Sequence, residues 1–192
     1  MPRSLSFYIS AYICEVEKIQ NIIQKLARLI LSKKVAKINR DKSTMNFDKA
    51  KTALIIIDGT DSASEKNVLD FIDFLKQNNI RVDCVNYIDK KEFDGKKNPK
   101  HIIISKKNLN GLGMPKQKEF ADLFEQPYDL LFDFSIKPHF AVQCIVELSM
   151  ARFKIGMLPG TSTAFDFMID LGKSKTISEY IKQIKIYLPL MK

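Results

Sequence analysis

Two short polar segments carry residue types able to do chemistry, and each follows an apolar run. Asp58, Thr60 and Ser62 follow ALIII (53–57), while Ser135, Lys137 and His139 follow DLLFDF (129–134). A carboxylate and an imidazole are acid–base groups. A lysine at a helix start, where backbone amides also favour anions, suits a phosphate. Each residue has a plain structural reading as well. Asp58-Gly59 is an ordinary turn pair, and Ser62 with Glu65 spells a capping box. Lys137 reads equally as a solvent-facing side chain. His139 sits beside Pro138 with no identifiable carboxylate or nucleophile partner in the sequence, as a capping or surface residue would. Asp129 and Asp133 lie four apart in one strand and so face the same side, where they either pair in a site or leave Asp133 to orient the loop.

Several chemistries lack their signatures. No GxGxxG follows the first strand and no GxxxxGK[ST] occurs, so neither a prepared pyrophosphate loop nor a P-loop is present. Asp58 ends its strand as a nucleophilic Asp does in some phosphotransferases, but Asp61 lies at the wrong spacing for the second acid. Cys14, Cys84 and Cys144 are odd in number and far apart, with no CxxC, which reads as reduced thiols in a cytoplasmic protein. No metal spacing is visible, and the residues point to no particular cofactor.

The elements that would position these groups are legible as alternating patterns. Strands are expected over 53–57, 80–88, 101–105, 129–134, 153–157 and 165–171, with helices after Ser62, over about 116–126, after Pro138 and after Thr176. Short continuous apolar runs separated by helices imply an α/β fold, a Rossmann-like, mainly parallel sheet of five or six strands with helices on both faces. Ligands in such sheets bind beyond the carboxyl ends of the strands, near the switch in strand order. If the order runs 3-2-1-4-5, the first and fourth loops meet at that crevice, with Asp58, Thr60 and Ser62 on one side and Ser135, Lys137 and His139 on the other.

The N-terminal part differs in charge. Residues 1–50 hold ten Lys/Arg and four Asp/Glu, whereas the other 142 residues hold 21 and 18. Val16, Ile19, Ile23, Leu26 and Ile30 recur at helical spacing over 15–37, with Ile22 and Leu29 widening the stripe. Lys18, Lys25, Arg28, Lys33, Lys34 and Lys37 occupy other positions of this basic amphipathic helix. Three readings stand: packing on its own domain, docking on a ribosome or other partner, and lying on a membrane surface. Residues 38–51 lose periodicity and read as a linker, giving 1–44 as helix plus linker and 45–192 as one α/β domain. No run reaches the length a membrane span needs, and LSFYISAYIC (5–14) lacks a signal-peptide cleavage site. The expected location is cytoplasmic, free or peripheral to a ribosome or membrane. The basic run over Lys90–Lys107 is diluted by Asp89, Glu92 and Asp94 and has no interleaved aromatics, so it reads as a solvated face.

YDLLFDFSIKPHFAVQCIVELSMARFKIGM (128–157) resembles a family of small uncharacterised bacterial proteins. They share a basic N-terminal helix, an "fD-(L/V)-L-(I/F)-D-(L/F)-S" strand and an "A-(K/R)-F-(K/R)-(I/V)-G" segment, here Ala151 to Gly156. The resemblance covers most of residues 15–190. It implies a Rossmann-like domain of unknown function and brings no activity with it. The same thirty residues resemble, more locally, the acceptor-side half of heptosyltransferase-like glycosyltransferases, in a "YD-hydrophobic-D" strand, a helix and a "RIG" strand. Those enzymes need a second nucleotide-sugar domain, for which this chain has no room, so that resemblance implies shared architecture.

Two functions are expected from these features. One is a non-catalytic cytoplasmic accessory protein whose helix docks a ribosome, another RNA-containing assembly or the inner membrane face; charge reversal at Lys25, Arg28, Lys33 and Lys34 should abolish that association. The alternative is a small-molecule-binding domain or enzyme for a phosphorylated or sugar-like ligand at the two loops. A homo-oligomer joined through the apolar stripe is a further possibility.

Overall fold

The structure, a computed structural model, describes residues 5–59, 62–91, 101–158, 164–173 and 176–192, with side chains described from 15 in the first helix and from 65 in the second. Thr60, the Ser62 side chain with its capping box, most of the loop 89–100 and the link after Leu158 therefore lie outside the described residues. The chain divides into two compact units, 1–37 and 38–192. The first is a single helix, α1 (Leu5–Val35).

The second unit alternates strands and helices as the apolar runs imply. β1 (Thr52–Asp58), α2 (Ser62–Gln77), β2 (Arg81–Ile88) and β3 (His101–Ser105) come first. They are followed by α3 (Ala121–Glu125), β4 (Leu130–Asp133), α4 (Phe140–Leu148), β5 (Phe153–Leu158), β6 (Phe167–Asp170) and α5 (Ile177–Tyr187). The helix expected over 116–126 is broken into a 3-10 turn, Gln117–Phe120, and the short α3. The sixth strand is shorter than its apolar run because Asp166 turns inward to make hydrogen bonds.

All six strands are parallel, in the order β3-β2-β1-β4-β5-β6. The chain runs outward from β1 to β3, returns past β1 to β4, and then runs the other way. Right-handed crossovers demand that the crossover helices before and after such a reversal, α2 and α4, cover opposite faces. They do. On one face α2, joined there by α5, buries Phe71 and Leu75 with Tyr180 and Ile184 against Ile55, Phe132 and Ile155. On the other, α4 lies over the sheet, where the Lys154 ammonium reaches the Val146 carbonyl in its last turn. Thr176 caps α5, its hydroxyl accepting from the Glu179 amide at 3.2 Å, as the second capping-box sequence predicts.

Residues 38–51 have no regular structure but are tied down. Arg40 donates to both carboxylate oxygens of Asp166, at 2.7 and 2.6 Å, and to the carbonyls of Ala151 and Arg152. Met45, Phe47 and Ala50 join the core. Asp129 holds the amino end of β1: its Oδ2 accepts from the Lys51 and Thr52 amides.

The segment ARFKIG has a physical reason for each of its positions. The Ala151 and Arg152 carbonyls accept from Arg40, Phe153 and Ile155 enter the core, and Lys154 caps α4. A Cβ at Gly156 would lie 2.6 Å from the ring of Phe165.

Candidate functional site

The reversal of strand order falls between β1 and β4, so the loops leaving these two strands diverge to opposite faces and leave a crevice. Register decides which side chains meet there. Asp58 pairs with Tyr87 and Ile56 with Asp133. Because partners in register and residues two apart share a face, Asp58, Tyr87 and Asp133 project to the same side.

His139 completes the group. It is the N-cap residue of α4, yet its side chain makes no capping bond. The imidazole turns to Asp58 instead, with Nε2 3.2 Å from Oδ2. Both are largely covered, with 16% of the histidine side chain and 7% of the aspartate exposed. The Tyr87 ring lies 5.0 Å from the His139 ring, tilted by 52°, and its hydroxyl donates to Asp89 at 3.1 Å. Burial, then the nearby carboxylates of Asp89 and Asp58, push the Tyr87 phenol well above its ordinary range, so it stays a neutral hydrogen-bond donor. His139 thus has a carboxylate partner that its sequence neighbourhood does not reveal.

Beneath this pair lies Asp133, fully buried, accepting from the Ser135 amide at 2.9 Å. Asp133 therefore orients the loop; Asp129, at the other end of β4, takes no part in the crevice. Burial pushes the Asp133 carboxyl from the usual 3.8 up to about 6, against the smaller opposing pull of the Ser135 bond and of His139. Between these values the folded chain holds a proton the unfolded chain has lost, so stability falls as pH rises through the window. Asp133→Asn keeps the acceptor for the Ser135 amide and removes the titration. Urea melts at about pH 4.5 and 6.5 should then differ less for the variant than for the wild type, by an amount on the order of 2 kcal/mol. An unchanged difference would show that Asp133 titrates normally.

Ser135 is 7% exposed; among the described residues its hydroxyl makes no well-aligned hydrogen bond, although it helps favour the charged form of the Asp133 carboxylate. Lys137 is exposed beside it, as is Ile136. Gly59 closes the first loop over Asn86, where an added Cβ would lie 1.8 Å from Oδ1. The structure thus assembles Asp58, Ser135, Lys137 and His139 at one end of β1 and β4. Tyr87 escaped sequence reasoning although the same rule about strand carboxyl ends selects it. Among the described residues no group of three or more His, Cys, Asp or Glu could hold a metal ion.

The basic residues of α1 fall on a separate unit. Lys18, Lys25, Arg28 and Lys33 are exposed, Lys34 is half-buried, and Lys37 follows the helix end. Among the described residues no helix is long and apolar enough to cross a membrane.

An all-parallel sheet with a polar crevice at its switch point defines a Rossmann-like α/β domain. The chain belongs to DUF6913, a family of unknown function, whose model matches residues 24–191. No curated protein and no solved structure matches it, and the heptosyltransferase resemblance has no support in these comparisons.

Proposed function

We propose that the α/β unit is a small-molecule-binding domain for a phosphorylated, sugar-like ligand held at the crevice between β1 and β4. The observation that carries this reading is the Asp58–His139 pair at the switch point. With the imidazole committed to Asp58, the first amides of α4 receive no cap from the His139 side chain and suit an anion. Lys137 stands two residues before the helix cap and adds a cation for the same phosphate. Asp58, His139 and the Ser135 hydroxyl supply the acceptors and donors that sugar hydroxyls need. The reading is of binding rather than turnover, since Asp58, the carboxylate bonded to His139, has its next acid, Asp61, at the wrong spacing for nucleophilic aspartate chemistry.

Thermal unfolding of the full chain with hexose phosphates, nucleoside monophosphates and inorganic phosphate tests this. A stabilisation of several degrees is expected with a sugar phosphate or nucleotide near saturation, lost in His139→Ala and weakened in the exposed-site variant Lys137→Ala. No stabilisation by any compound of the panel, or stabilisation retained in both variants, would reject the site.

A further inference from the structure

A different surface carries an inference independent of the crevice. Ile19, Ile22, Ile23, Leu26 and Leu29 are all exposed, from 39% at Ile23 to 66% at Ile22. Single exposed aliphatics are normal on a protein surface; a contiguous row is not. At about 100° per residue these five fall within a stripe roughly 120° wide.

The charges along the long edge of that stripe are basic, and Glu15 lies on the line of the stripe before its N-terminal end. Lys18 and Lys25 lie along one edge, one helical position outside Leu29 and Ile22. Lys33 continues the stripe toward the C-terminal end. Residues 1–37 hold seven Lys/Arg against Glu15 and Glu17. An apolar stripe edged by lysines matches the two layers of an anionic bilayer surface, with acyl chains under the stripe and phosphates at its border.

Other occupants match less of this pattern. A nucleic-acid backbone would satisfy the lysines and leave five aliphatic side chains in water. A second copy of the helix would cover the stripe but bring lysine borders together.

We infer that α1 is an interfacial helix that docks the protein on an anionic lipid surface, with the Ile19–Leu29 stripe entering the headgroup boundary and Lys18 and Lys25 contacting lipid phosphates. The helix lies along the surface and does not cross the bilayer.

Co-flotation of the full chain with vesicles tests the inference. The wild type should float with phosphatidylglycerol–phosphatidylcholine vesicles and stay at the bottom with phosphatidylcholine alone. Leu26→Asp/Leu29→Asp and Lys18→Glu/Lys25→Glu should each cut the floated fraction at least tenfold. Because all four side chains are exposed, both variants should keep the wild-type melting temperature, which separates lost docking from lost folding. Failure of the wild type to float with anionic vesicles overturns the inference. So does flotation undiminished in either variant. Association with ribosomes that survives Leu26→Asp/Leu29→Asp and is released by salt would assign the helix to RNA instead, and a dimer dissolved by that variant would assign the stripe to a second copy.

Discussion

Arg40→Ala is expected to lower the stability of the α/β unit by about 3–5 kcal/mol, the range for removing one partner of a buried ion pair. The Arg40 side chain is 7% exposed and Asp166 17%. The guanidinium forks onto both carboxylate oxygens and also satisfies the carbonyls of Ala151 and Arg152. Its loss leaves Asp166, which still accepts from the Lys154 amide at 2.9 Å, without its cation in a covered site. It also removes a donor from the carbonyls of Ala151 and Arg152, just before β5. Arg40→Lys restores the charge but not the planar fork, so it should recover part of the loss and no more. Urea unfolding at neutral pH measures both. A loss below about 1 kcal/mol for Arg40→Ala would show the pair to be solvated and of the weight of a surface ion pair.

The second large effect is a pH dependence centred on Lys154. This lysine is 1% exposed, the second residue of the apolar strand β5, and its ammonium donates to the Val146 carbonyl at 2.6 Å. That bond caps the C-terminal end of α4, where carbonyls lack partners and the helix dipole is negative. Burial, reinforced by the nearby Arg40, lowers the Lys154 pKa from 10.5 to about 7, although Asp166 and Glu147 pull the other way. Between these values the unfolded chain binds a proton that the folded chain has released. Stability therefore rises with pH across this window, by an amount on the order of 5 kcal/mol over its full width.

The buried tyrosines act with the opposite sign above about pH 10, since burial raises the phenols of Tyr87, Tyr128 and Tyr180. The comparison is therefore cleanest between about pH 7 and pH 9. Lys154→Met should flatten the rise over that interval while preserving the fold, because methionine fills a similar volume without a charge. A variant whose stability still climbs as steeply as the wild type would place the titration elsewhere.

Lys154 also shows where sequence reading falls short. A single lysine inside FKIGM is visible in the sequence, but an apolar run with one cation does not say whether that cation escapes to solvent or is buried. The answer depends on α4 ending directly over β5, which is a property of the crossover and not of the strand. The same holds for residues 38–51. Periodicity detects faces of helices and strands; it is blind to a chain held by one arginine fork and a few buried side chains.

The crevice divides in the same way. The loops after β1 and β4 are legible as sites because apolar runs locate the strand ends, and a parallel sheet places ligands there. That Asp58 and His139 touch is not legible, since 81 residues separate them and the contact requires β4 to return beside β1. Tyr87 enters for the same reason, through a register of β1 on β2 that only backbone pairing sets.

What the sequence by itself determined is the alternation of strands and helices, and hence the parallel α/β class with its sixth strand. It also determined the amphipathic character of α1. These follow from short-range chemistry: apolar runs, caps and a helical period. Strand order, the Asp58–His139 and Arg40–Asp166 pairs and the burial of Lys154 were decided only by the tertiary structure. Each joins groups far apart in the chain, and the free energy that selects them comes from packing two faces of one sheet at once, which no local pattern encodes.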